Sequence, residues 1–181
     1  MRHTILAKRY AKAIFAVGQE EGKSEAFREA LNVLGDFLEK YPEAMDALTN
    51  LLYPMELKEK VMAQLITELQ TDQYMANFLN LVVQKKRADI LPEIASEFQL
   101  LVDADQNISR GTVISAKEIS GELQSKVQST LENIIGNKVI LTSEIDPSII
   151  GGIIAKVGDL VMDGSIKTQL TGLNESIKGS E

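Results

Sequence analysis

Cysteine is absent from the chain, and histidine occurs once, at position 3, among 181 residues. Structural zinc, thiolate nucleophiles, disulfide staples and any triad centred on a histidine are thereby excluded. A chain without cysteine fits a reducing compartment. No apolar run approaches the roughly 20 residues that a membrane-spanning helix needs. Basic residues are in the minority, 19 Lys and Arg against 26 Asp and Glu, for a formal net charge of -7. A negative overall field opposes phosphate backbones and argues against sequence-independent nucleic-acid binding. What the chain does have is 44% apolar and 25% charged residues, the mix of a soluble globular protein with a core of its own. The length suits one medium domain or two small ones.

Residues 1–19 hold Arg2, Lys8, Arg9 and Lys12 and no acid, so the start of an acidic chain is locally basic. A secretory signal would follow its basic start with an unbroken apolar run of roughly 7–15 residues. Here the charges interleave with Ile5, Leu6, Tyr10, Ile14 and Phe15. A mitochondrial presequence should be rich in serine, and this segment contains none. Two readings remain: a solvated basic face on a core helix, or a docking face for an acidic or helical partner.

From Ile5 to about Leu101, apolar residues recur at intervals of three and four, which predicts successive amphipathic helices. Phe27, Ala30, Leu31, Leu34, Phe37 and Leu38 form one stripe behind an expected N-cap at Ser24. Pro42 and Pro54 are expected in first helical turns, where a missing N–H costs nothing. Leu57, Val61, Leu65 and Leu69 mark the next stripe. Thr71 and Asp72 then break the pattern and cap a helix from Gln73 to about Lys86, and a sixth helix follows Pro92. Six helices with short connections predict a compact bundle. Turn formers replace the stripe from Asp103 to Gly111, placing a domain boundary there, between residues 105 and 106. Before it lie 12 basic and 17 acidic residues and after it 7 and 9, so both halves are acidic.

Past the boundary, Thr112–Ala116 and Lys138–Thr142 read as strands flanking a helix from about Ser120 that stops at Gly136. Ile153–Val157 and Leu160–Met162 are separated by Gly158 and Asp159, a two-residue hairpin signal. A last helix carries Ile166, Leu170, Leu173 and Ile177. The fold class is therefore α+β, a six-helix bundle over residues 1–105 followed by a small mixed α/β domain over 106–181.

Chemical motifs are weak throughout. Asp103, Asp105 and Asn107 have the opening spacing of an EF-hand loop, but Ile108 and Ile114 stand where its glycine and closing glutamate belong. Gly151, Gly152, Gly158 and Gly164 match neither phosphate-loop spacing nor the dinucleotide fingerprint, so turns account for them better than a phosphate cradle. Asp159 and Asp163 suit turn starts better than paired acid–base work. Lys85, Lys86 and Arg87 suit a helix C-terminus. A small phosphate-handling enzyme using Gly151 to Gly164 and Lys167 is kept as the alternative function. No cofactor or metal is implied.

Two helix surfaces remain. Ala7, Tyr10, Ala11 and Ile14 share one stripe of the first helix, and small residues there would let another helix approach closely. On the fifth, Asn77 and Leu81 share a face with Gln84, while Phe78 and Val82 follow one step around. Both helices are apolar on more than one side, and the excess is either ordinary core or a groove for an amphipathic partner helix.

The run Ala7-Lys-Arg-Tyr10-Ala-Lys-Ala13-Ile-Phe15 resembles the opening helix of the delta subunit of F-type ATP synthases, the bacterial relatives of the mitochondrial oligomycin-sensitivity-conferring protein. Asn77-Phe-Leu, then Lys86-Arg87-Ala-Asp89-Ile-Leu-Pro92, is similar to that family's fifth and sixth helices. Ile145-Asp-Pro147-Ser-Ile-Ile-Gly151-Gly, Val157-Gly-Asp159 and Met162-Asp-Gly164-Ser-Ile resemble its C-terminal signature. Ile14 departs from a commonly smaller residue, and Lys86 from a common Gly or Asn. The resemblance implies a non-catalytic stator subunit. Its bundle would hold N-terminal segments of alpha subunits in a groove between the first and fifth helices, mapping to Ala7, Tyr10, Ala11, Ile14, Asn77 and Leu81. Its α/β half would engage the C-terminal ends of the b stalk. A resemblance that starts at Ala7 leaves no space for a removable presequence. It implies a peripheral position on the cytoplasmic side of a bacterial inner membrane.

Overall fold

In the computed structural model, residues 2–171 are described. They divide into two units, Met1–Val102 and Asp103–Glu181. The division falls three residues before the expected boundary, inside the helix that ends at Asp105.

The first unit is helical: α1 (Arg2–Glu20), α2 (Ser24–Lys40), α3 (Pro42–Thr49), α4 (Met55–Glu68) and α5 (Gln73–Gln84). A 3-10 turn, Ala88–Ile90, then leads into α6 (Leu91–Asp105). Phe27, Leu31, Leu34 and Leu38 of α2 are buried at spacings of four, three and four, which keeps one stripe of a 3.6-residue helix inward. They join Met62, Met75, Leu79, Val82, Ile94 and Phe98 in one core. Each such side chain contributes about 1.5–3 kcal/mol by leaving water. Asp72 caps α5, its carboxylate accepting from the Met75 N–H at 3.1 Å. It is also held by the Lys23 ammonium at 2.7 Å, which ties the α1–α2 connection to the start of α5.

Local details differ from the sequence expectations. Ser24 is the first residue of α2, and Lys23 occupies the cap position without a side-chain cap bond. Pro42 opens α3 as expected, but Pro54 precedes α4 in extended conformation. In α4 the inward residues are Lys58 and Met62. Leu57 is exposed and Val61, Leu65 and Leu69 flank the core half-buried. The helix is turned about one residue from its apparent stripe because an unbranched methionine fills the core gap and the Lys58 stem lies along it.

The second unit contains β1 (Ile108–Ser115), α7 (Gly121–Ile135), β2 (Lys138–Ile145), β3 (Ile153–Val157) and β4 (Leu160–Asp163), with residues 166–171 helical. The sheet order is β2-β1-β3-β4. β1 and β2 are parallel and joined through α7, while β3 runs antiparallel to β1 and to β4. β1 starts four residues earlier than expected. Asn107 takes φ 53° and β1 begins at the next residue, so Ile108 to Gly111 are strand and not turn. Alternate residues of the strands, among them Val113, Val139, Leu141, Ala155 and Val157, form a second core with Leu131 of α7, the period-two burial of a half-covered sheet. Gly111 is needed at its centre, because a Cβ there would collide with Val157 and lie 3.2 Å from Leu141 Cδ2. Gly136 stops α7 at φ 78°, and Gly158 and Asp159 make the β3–β4 turn as expected. Leu173 and Ile177 of the expected last helix lie outside the described residues.

Candidate functional site

The α1 stripe splits in two. Ala7 and Ala11 are 0% exposed and Ile14 3%. These three therefore belong to the chain's own core and cannot line an open groove, which corrects their reading as groove residues. Small side chains do let elements approach closely here, but the elements are the chain's own. Tyr10 is half-buried at the edge of that core. Its ring meets Phe78 of α5 edge-on, with centroids 6.3 Å apart and planes at 65°, a favourable aromatic geometry. Asn77 is exposed, and Leu81 is 45% exposed.

The accessible face is thus one step around α1 from the predicted stripe. Leu6, Tyr10 and Val17 are half-buried there and Ala13 is exposed, at spacings of four, three and four along one face. Across the Tyr10–Phe78 contact, α5 presents Tyr74, Asn77 and Leu81, which its 3.6-residue period places beside Phe78. Tyr74 and Leu81 are large apolar groups with nearly half their surface in water. Asn77 and Leu81 also border a depression of about 500 Å³ shared with Glu59 and Ala63 of α4. Sequence reasoning named Tyr10, Asn77 and Leu81 but missed Leu6, Ala13, Val17 and Tyr74. Their spacing was readable; what the sequence hid was which of two adjacent apolar stripes faces inward.

Charge frames this seam. Arg9 and Lys12 stand exposed on the outer side of α1, and Lys8 lies 3.9 Å from Glu97. At the far end, a hydrogen bond to Glu21, reinforced by that carboxylate's charge, raises the Tyr74 phenol above its ordinary pKa. The Asp72 hydrogen bond raises Lys23. For Asp72 itself burial is the largest influence and pushes upward, but the Lys23 and Met75 hydrogen bonds outweigh it and leave the carboxylate lowered. These shifts describe a locked ion pair and cap, with no acid or base poised to react.

The second unit shows what its glycines and aspartates do. Gly152 sits at φ 89°, and a Cβ there would strike the Gly164 carbonyl oxygen. The two glycines let backbone pass backbone and present no phosphate cradle. Asp163 accepts from the Ser165 N–H at 2.8 Å and the Thr168 hydroxyl at 2.7 Å. Those bonds, the Ser165 N–H foremost, lower its pKa and serve the helix that begins at residue 166. Lys156 and Lys167 border a depression of about 580 Å³ with Asp163, Ser165 and Thr168, whose hydroxyls and carboxylate are bonded to one another as the start of that helix. Among the described residues, no group of three His, Cys, Asp or Glu side chains could hold a metal ion, and no helix is long and apolar enough to cross a membrane.

Comparison with known proteins follows the same line. The family model "ATP synthase delta (OSCP) subunit" matches residues 6–177. The chain is 60% identical to the ATP synthase subunit delta of Desulfotalea psychrophila, covering 100% of each chain. It is 39% identical to that of Desulfosudis oleivorans, over 100% of this chain and 99% of the relative. A chain in the structure of the Toxoplasma gondii mitochondrial ATP synthase hexamer shares the fold with TM-score 0.71 at 24% identity, covering 95% of this chain and 97% of that one.

Proposed function

The chain belongs to the ATP synthase delta (OSCP) subunit family, whose members are peripheral-stalk components and not enzymes in themselves, and from that premise we propose how its two units divide the work. The helical unit grips an N-terminal segment of an ATP synthase alpha subunit. The segment lies as an amphipathic helix along the seam made by Leu6, Tyr10 and Ala13 of α1 and Tyr74, Asn77 and Leu81 of α5. The α/β unit engages the C-terminal end of a b subunit. The complex so linked lies at the cytoplasmic face of a bacterial inner membrane, with this chain peripheral to it.

One observation carries the reading: an apolar seam about the Tyr10–Phe78 contact that the described residues leave open to solvent. A helix laid in such a seam buries its own apolar stripe by helix-in-groove recognition. A joint that resists torque needs nanomolar strength or better, about 12 kcal/mol, concentrated on a few buried aromatic and aliphatic anchors. In the α/β unit, the feature that suits a helical stalk end is a furrow of about 270 Å³ lined by Val127 and Leu131 of α7, Ile153 and Ala155 of β3 and Met162 of β4. The alternative, a phosphate-handling enzyme, is unsupported: its glycines are spent on backbone crossings and turns.

Copurification tests this. A tagged copy of the chain recovered from detergent-solubilised native membranes should bring down the catalytic-head and b subunits together. Recovery of the chain without head subunits would refute the assignment.

A further inference from the structure

Among the described residues the sheet of the α/β unit ends in β2 on one side and β4 on the other, and β2 is the longer edge, eight residues against four. An edge strand points alternate backbone N–H and C=O groups away from its neighbour, a row that another chain can pair with unless something covers it. The bonds around β2 fix which residues point outward. The Lys138 N–H donates to the Asn107 carbonyl at 3.1 Å and the Asp146 N–H to the Ser115 carbonyl at 2.9 Å, on the β1 side. Even-numbered residues therefore face β1, and Val139, Leu141, Ser143 and Ile145 face out.

The first half of this outer edge is sealed. The Val139 N–H donates to the Glu132 carboxylate at 3.0 Å, and the Leu141 carbonyl accepts from the Gln124 amide at 3.3 Å. Gln128 donates to the same carboxylate at 3.2 Å, so a polar row at every fourth residue of α7 lies along the edge. α7 begins at Gly121, three residues before Gln124, and has no further turn to offer beyond Leu141. There the N–H groups of Leu141, Ser143 and Ile145 and the Ser143 carbonyl have no hydrogen-bond partner among the described residues.

The bare half also carries a chemical pattern. Side chains alternate across a sheet, which puts Ser143 and Ile145 on the α7 face and Thr142 and Glu144 on the opposite one. Ile145 is 54% exposed, and Thr142, Ser143 and Glu144 are exposed with it. Glu144 is the one charged residue from Leu141 to Ile145, and its carboxylate has no ion pair among the described residues. An added strand with apolar side chains beside Ile145 and basic ones beside Glu144 complements both faces.

We propose that the outer edge of β2 from Leu141 to Ile145 is a strand-addition site, separate from the furrow between α7 and β3. Its occupant is an extended segment of another protein in which apolar residues alternate with lysine or arginine, laid antiparallel, the more stable sense. Its apolar residues stand opposite Ser143 and Ile145 and exchange backbone hydrogen bonds with them. Backbone pairing supplies the affinity and the alternation fixes the register.

The test uses the full chain and short synthetic peptides in which valine alternates with lysine. Solution NMR should show saturable binding, with shifted amides and slowed hydrogen exchange at Ser143 and Ile145. Methylating the valine nitrogens, which face β2 in this register, should weaken binding by about tenfold or more, whereas methylating the lysine nitrogens, which face away, should not. Exchanging lysine for glutamate should weaken it by a similar factor. Ser143→Pro removes an outward donor that is no part of the ladder with β1, a change an edge strand tolerates, and Glu144→Lys reverses the charge. Each should weaken the lysine peptide about tenfold or more at an unchanged melting temperature. The methylated peptides make the same test without altering the chain. No saturable binding at millimolar concentration, equal affinity for the two methylated peptides, or shifts confined to the α7–β3 furrow would overturn the proposal. Protection of the same amides in the concentrated chain alone would also overturn it, by assigning the edge to a second copy. The alpha-segment and b-subunit readings rest on other surfaces and stand under each of these results.

Discussion

Lys86 follows the end of α5 with φ 57°, a left-handed conformation in which a Cβ is crowded. Its N–H bonds the Val83 carbonyl and the next N–H bonds that of Val82, the pattern that closes a helix C-terminus and usually employs glycine. Glycine or asparagine would meet this backbone geometry at lower cost, whereas the sequence showed only a cluster of charge. Lys86→Gly should raise unfolding stability by about 0.5–1 kcal/mol in urea titrations. A loss of stability would show that the lysine side chain contributes more than its backbone costs. A second residue-scale expectation concerns acid. Asp163, held by the Ser165 N–H, Glu132, held by the Val139 N–H, and Asp146, held by Ser148, all lie below the ordinary carboxylate pKa. The unfolded chain therefore takes up protons first as pH falls. The stability these groups contribute is complete above their unfolded values of about 4 and disappears as pH drops through the lower folded values. Melting of the α/β unit should be flat from about pH 7 to 5 and fall steeply below about 4. Asp163→Asn should lower stability at neutral pH and blunt the acid transition. An unaltered acid limb would mean other groups carry it.

At the scale of elements, strong single stripes were legible. α2, α5 and α7 lie where their apolar periods put them, and Asp72, Ser120 and Gly136 end helices as their chemistry dictates. Elements with two apolar faces were ambiguous. α4 chose Met62 over its leucine row, and α1 turned Ala7, Ala11 and Ile14 inward, because periodicity reports that a face is apolar and not which neighbour covers it. The early start of β1 was hidden by Ser109, Arg110 and Gly111, which look like turn formers. Arg110 is instead fixed by Asp103 at 2.6 and 3.1 Å, and Gly111 by the lack of space above it. The buried face of α1 and the exposed face of α5 predict opposite mutant behaviour. Ile14→Asp buries a carboxylate in the core and should destabilise the fold by about 3 kcal/mol or more. Leu81→Asp, on the surface, should shift stability by about 0.5 kcal/mol or less while weakening alpha-segment binding about a hundredfold or more. Thermal melts of both variants decide it, and a stable Ile14→Asp protein would contradict the core assignment.

For the whole molecule, the two-part organisation could be read from composition and punctuation. The open seam could not, since it depends on which apolar groups remain in water after six helices have packed. A stator part must bind at two ends and catalyse nothing, and its active surfaces are leftovers of packing. Calorimetric titration of the full chain with a peptide of the ATP synthase alpha-subunit N-terminus measures the central claim most directly. Saturable binding of nanomolar strength is expected for the natural chain, weakened by about a hundredfold or more by Leu81→Asp. Absence of saturable binding at micromolar concentrations, or equal affinity for that variant, would contradict the account.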